Sequence, residues 1–172
     1  MGLFDSIFEK KSGVPGKLMF KLTKDLAISV IHNSIKDCKK GAELEIILFY
    51  AGILLQHANR IKPHKINQIQ DDYFIELIGY IRQNNVQKII NQNIVDFINK
   101  RLILYNEELL RISNSGGMAI PTKLMYNFIE NPLQPRSGDN YDLGSQMLIM
   151  ATLMPGLKKI EEMANPIIQK FY

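Results

Sequence analysis

The residues of this chain that could do chemistry are few, and their spacing suits little of it. Its histidines, His32, His57 and His64, stand on separate stretches, and no two lie four apart on a helix. There is no His-Glu-x-x-His, no Glu-x-x-His of the kind carboxylate-bridged bundles use, and no cysteine pair, so no metal site or cofactor is legible. His57 falls on the line of Ile46, Tyr50 and Ile53 and reads as a core or helix-end histidine rather than a catalyst. The acids come as neighbours, Asp71-Asp72, Glu107-Glu108 and Glu161-Glu162. Adjacent helical residues point about 100° apart, so these pairs do not converge on one substrate atom. Solvated faces account for them, with Arg111 in helical reach of both Glu107 and Glu108.

Glu45 stands out because it sits in the most apolar part of the chain, between Leu44 and Ile46. A buried carboxylate is costly unless paired, and such a group can be functional. It also lies in the first turn of its helix, where the dipole favours an acid, and the expectation is a solvated first-turn residue. Cys38 belongs to a last helical turn, where the dipole raises a thiol's pKa, and reads as inert. Gly116-Gly117 has neither the spacing of a dinucleotide fingerprint nor the Gly-Lys-Ser/Thr of a phosphate loop. The nearest match to a DNA-recognition helix, Lys62 to Gln70 with Asn67, Gln68 and Gln70, runs straight into Asp71 and Asp72, which would face phosphates badly. The sequence argues against DNA as a partner and against catalysis.

Positioning elements are easier to read. Ile66, Ile69, Tyr73, Phe74, Leu77, Ile78 and Ile81 recur at three- and four-residue steps, as do Val86, Ile90, Phe97, Arg101, Tyr105, Leu109 and Ile112, where a cation interrupts an apolar stripe. Such spacing predicts amphipathic helices. No stretch alternates long enough to predict a strand. The expectation is an all-α, single-domain bundle of about six to seven helices. Its centre is a helix over about 42–59, apolar on nearly all sides except a thin stripe of Glu45, Gly52, Gln56 and Asn59. A short amphipathic helix within 1–11 is set off by Ser12-Gly13-Val14-Pro15-Gly16, and the bundle domain spans 17–172. A long helix is expected over about 86–113 and a short one from Pro121 to Glu130. Gly41 is expected to end the helix of 17–40, and Pro155-Gly156 to kink the last helix.

The chain is long enough for a full core, with 46% hydrophobic and 22% charged residues. Its net charge of +4 is uneven: residues 1–65 hold eleven Lys/Arg against six Asp/Glu, and 66–172 hold ten against eleven. The longest apolar run, Ile46 to Leu55, is too short for the about 20 residues a membrane span needs. One cysteine allows no internal disulfide, and no secretory leader is legible, so the cytoplasm is the expected location.

Two regions carry binding expectations. Leu3, Phe4, Ile7 and Phe8 form a small apolar face with Lys10 and Lys11 at its rim, and Gly2 with Ser6 matches the loose myristoylation pattern. These six side chains are the expected contact for a protein partner or a second copy, and secondarily for an anionic membrane surface, giving peripheral attachment. Methionines on the last helix suggest an apolar-ligand pocket as the alternative, lined by Tyr50, His57, Met150 and Met154. An enzyme with a loop-borne site, such as Asn131 to Tyr141, is the third possibility. The functional expectation is a non-catalytic helical module that works by binding.

Overall fold

Gly41, at φ 107°, occupies the left-handed region that glycine enters without strain, and it leads the chain into the helix that organises everything else. In the computed structural model, residues 13–34, 41–88, 90, 92–115 and 143–172 are described, with 34 and 143–150 described by backbone alone. These residues form α1 (Val14–Ser34), α2 (Ala42–Ile61), α3 (Ile66–Gln83), α4 (Ile94–Asn114) and α5 (Leu143–Phe171). Short 3-10 turns at Pro63–Lys65 and Val86–Lys88 precede α3 and α4. The fold is an all-α bundle, with five helices among the described residues against the six or seven expected. The short helices expected within 1–11 and over 121–130 lie outside the described residues, as does Cys38.

Helix α2 is the centre, as its all-round apolar sequence requires. Ile46, Ile47, Leu48, Phe49, Tyr50, Ala51 and Leu54 have no exposed surface, and α2 packs on each of the other four helices. Burial of that many large side chains, at about 1.5–3 kcal/mol each, is what holds the bundle closed. Helix α1 closes one side through Met19, Leu22, Ala27 and Val30. Buried Thr23 shares a hydrogen bond of 2.8 Å with the Tyr73 hydroxyl and donates to the Phe20 carbonyl at 2.9 Å.

Helix boundaries depart from expectation in two places. Of the linker expected over 12–16, residues 14–16 are not free chain, because α1 already begins at Val14. Pro15 is tolerated in a first turn, where no helical acceptor awaits its missing N–H. Gly16 is buried against α3, so close that a Cβ there would sit 2.4 Å from the Asp72 carbonyl oxygen. The long helix expected from Val86 instead starts at Ile94. Asn93 supplies the reason: its side chain accepts from the N–H groups of Val95 at 2.8 Å and Asp96 at 3.4 Å, an N-cap that ends the preceding connection. In that connection Asn85 takes φ 55°, while Val86 and Ile90 are buried and pin it to the core.

Helix α5 runs 29 residues and stays helical through Pro155 and Pro166. Its close approach to α2 depends on Gly156, where a Cβ would fall 2.3 Å from the Tyr50 hydroxyl oxygen. Tyr50 donates that hydroxyl to the Leu153 carbonyl at 3.0 Å. No described helix is long and apolar enough to cross a membrane.

Candidate functional site, a carboxamide groove along α2 and α4

Helix α4 leans chiefly on α2. Glu45 meets Arg101, Phe49 meets Tyr105, and Gly52 faces Asn106 and Leu109, so the pairings advance together and the two helices run in the same sense. Of the thin stripe of Glu45, Gly52, Gln56 and Asn59, spaced seven, four and three apart on one side of a helix, the first three meet α4. Among the described helices α4 packs on little besides α2, and a valley lies on each side of it.

The valley towards α3 is a groove of about 580 Å³ lined by Gly52, Leu55, Gln56 and Asn59 of α2, Ile66, Asn67 and Gln70 of α3, and Asn99, Leu102, Ile103 and Asn106 of α4. Six of these eleven residues are carboxamides and none is ionisable. Gln56 donates Nε2–H to Asn106 Oδ1 at 3.1 Å across the α2–α4 seam. Asn59, Asn67, Gln70 and Asn99 make no side-chain hydrogen bond to another described residue. Gln70 and Asn99 are half exposed and line the groove. Each carboxamide offers an N–H₂ donor and a C=O acceptor, the same pair a peptide group presents. None can take up or release a proton near neutral pH, so these side chains can hydrogen-bond a ligand but cannot serve as acid or base.

The valley towards α5 is smaller, about 420 Å³, and more apolar, with Ile53, Leu109, Ile112, Met154 and Leu157 beside Gln56, Ser113, Lys158 and Glu161. Of the four residues expected to line an apolar pocket, Met154 is found there. Tyr50 is wholly buried against α5, and His57 lies near Arg60 and Glu161. The Met150 side chain lies outside the described residues, as do Leu3, Phe4, Ile7, Phe8, Lys10 and Lys11. His57 Nδ1 is 2.8 Å from Arg60 Nη2, and its Nε2 is buried without a partner among the described residues. Burial pushes its pKa down, partly opposed by the Glu161 carboxylate.

Glu45 is not the solvated first-turn acid expected. It has no exposed surface, receives Arg101 Nε–H at 3.0 Å, and accepts a hydrogen bond from the buried Tyr105 hydroxyl. Burial pushes its pKa up, and Arg101 and Tyr105 offset part of that. The cation that interrupts the apolar stripe of α4 is therefore the counter-ion of the acid that interrupts α2. Glu108 is likewise buried, not solvated: Arg111 grips both its oxygens, at 2.6 and 3.2 Å. Both acids are satisfied within the fold. Among the described residues no cluster of three His, Cys, Asp or Glu side chains could hold a metal ion.

The groove was missed because no motif describes it, yet the sequence holds a signal. Fourteen of the chain's 23 Asn and Gln residues fall between Gln56 and Asn106, a span of 51 residues. Comparison with known proteins found no matching family model, no matching curated protein and no matching solved structure.

Proposed function

We propose that this protein is a non-catalytic helical module that binds an uncharged segment of polypeptide in the carboxamide groove between α2, α3 and α4. What supports this most is a single observation: a groove of about 580 Å³ lined by six carboxamides and no charge, four of them unengaged by other described residues. That size lies within the range of specific ligand sites. Side-chain amides can pair with main-chain N–H and C=O groups of an extended segment, while Leu55, Leu102 and Ile103 take its apolar side chains. A charged residue entering this groove would lose water and find no counter-ion, so discrimination against charge is built in.

The test is an NMR titration of the full chain with short capped peptides that differ only in one central residue, Asn, Asp or Lys. The neutral peptide is expected to shift the side-chain amide signals of Asn67, Gln70 and Asn99, with little dependence on salt. The charged peptides are expected to bind at least about tenfold more weakly, a difference of 1.4 kcal/mol. Binding that ignores peptide charge, or shifts that avoid the groove amides, would remove the proposal.

A further inference from the structure

We infer that the outward face of α4 docks on the same face of a second copy of this chain, the two helices antiparallel about a two-fold axis beside Ile103. The pairing does not depend on what the groove holds: of the residues it uses, Ile103 alone also borders the groove.

The packing of α4 leaves this face open. Ile98, Leu102, Tyr105 and Ile112 are buried on its inner side, and among the described helices α4 packs on little besides α2. At about 100° per residue, Asp96, Lys100, Ile103, Glu107, Leu110 and Arg111 share an arc of about 100° on its other side, and all six are exposed. Ile103 and Leu110 are 62% and 60% exposed, two turns apart on this one face. Two large aliphatic side chains so placed gain by being covered together.

The charges around them say what covers them. Along the helix they run acid, base, acid, base: Asp96, Lys100, Glu107, Arg111. Lys100 and Glu107 lie equally far on either side of the point between Ile103 and Leu104, and so do Asp96 and Arg111. Turned end for end about that point, a second α4 brings its Glu107 opposite Lys100 and its Arg111 opposite Asp96, each twice over. A parallel second helix would set like charges on one another instead, so the pattern selects the antiparallel pair. A patch that complements itself in this way closes as a two-fold dimer. Lys100 donates to Gln92 at 3.1 Å and Arg111 holds Glu108. An ammonium has three donors and a guanidinium five, so both contacts persist in the pair. From Asp96 to Arg111 the face is about 24 Å long at ~1.5 Å per residue. One helix pair of that length buries less than the roughly 1,200 Å² of a standard stable interface, so the association is weak and reversible.

Disulfide trapping suits a weak pair. The full chain carries Cys38→Ser, so that a newly placed cysteine is its only thiol. Ile103→Cys lies beside the axis, and oxidation is expected to link two copies through it. Asn114→Cys, exposed on the same helix, would stand about 31 Å along the pair from its own counterpart, far beyond the about 7 Å between Cα atoms that a disulfide spans, and is expected not to link. Thermal melting checks that each variant is folded. Lys100→Glu or Glu107→Lys, added to Ile103→Cys, turns two attractions into two repulsions, and each alone is expected to slow linking at least about tenfold. Mixing these two variants is expected to restore it as a one-to-one linked pair, because every altered side chain then meets an opposite charge. Sedimentation equilibrium of the reduced wild type up to about 1 mM is expected to show dimer and nothing larger. No linking at Ile103→Cys, equal linking at Asn114→Cys, charge reversals without effect, a mixture that does not recover, or species beyond the dimer overturns the inference. If the face belongs to a different protein, Ile103→Cys stays unlinked and the wild type monomeric, which overturns it too.

Discussion

Arg101→Met should destabilise the protein in a manner that depends on pH, because it leaves the Glu45 carboxylate buried without its counter-ion. Glu45 has no exposed surface and Arg101 Nε is 3.0 Å from its Oε1. Methionine keeps much of the stem volume and removes the charge. The magnitude has a ceiling set by an alternative open to the folded protein, which is to protonate Glu45. At pH 7, protonating a carboxyl whose ordinary pKa is 4.5 costs about 3.4 kcal/mol, since each unit is worth about 1.36 kcal/mol. Removing one partner of a buried pair costs about 3–5 kcal/mol in general, so the ceiling should be nearly reached.

The sign follows from linkage. Burial already holds the folded pKa of Glu45 above 4.5, and losing Arg101 raises it further. Between 4.5 and that raised value the folded state binds more protons than the unfolded chain, so stability falls as pH rises through this window. The wild type follows the same trend up to its own raised pKa, so the deficit of Arg101→Met grows only between the two folded pKa values, reaching at most about 3 kcal/mol at pH 7 and being smaller at pH 5. What persists at pH 5 includes the lost cation–π contact of Arg101 over the Phe97 ring, at 5.1 Å. Urea unfolding at the two pH values measures both deficits. Adding Glu45→Gln to Arg101→Met should recover much of the loss at pH 7 and abolish its pH dependence. A deficit of equal size at pH 7 and pH 5, or none at either, would refute the pairing.

Gly156→Ala should destabilise despite alanine's better helix propensity, because its Cβ would lie 2.3 Å from the buried Tyr50 hydroxyl oxygen and 2.6 Å from Cζ. Overpacking and a displaced Tyr50–Leu153 hydrogen bond together outweigh a propensity gain of about 1 kcal/mol, leaving a net loss of about 2–4 kcal/mol in urea unfolding. A variant as stable as wild type would show that α5 does not rest on Tyr50. His57 acts with the opposite sign to Glu45: its folded pKa is depressed below 6.5, so its contribution is present above 6.5 and is lost as pH falls towards the folded value. His57→Gln should flatten the stability profile below pH 6.5, and an unchanged slope between the two proteins would contradict that assignment.

What the sequence determined by itself is what local pattern can specify. The run Ile46 to Leu55 leaves α2 no polar face wide enough for solvent, so its central place followed without any knowledge of its neighbours. The three- and four-residue spacing of Ile69, Tyr73, Phe74, Leu77 and Ile81 likewise set which face of α3 is buried. The start of α4 was legible only in part. Apolar spacing continues back to Val86, and the cap at Asn93 wins because two backbone N–H groups find an acceptor there.

Tertiary structure decided the rest, because burial of a polar group depends on what stands opposite it. Glu45 in a first turn is compatible with solvent or with the core, and only the crossing of α4 brings Arg101 and Tyr105 over it. Sequence spacing showed Arg101 as an interruption but could not show that the interruption answers Glu45, 56 residues away. The groove was still less accessible, since its carboxamides come from three helices and have no shared spacing. Asn and Gln carry no charge and belong to no motif, so nothing local distinguishes Asn99, which lines a groove, from an ordinary surface asparagine. That distinction is made by how α4 packs on α2, with Phe49 against Tyr105 and Gly52 facing Asn106, and not by any stretch of chain read alone.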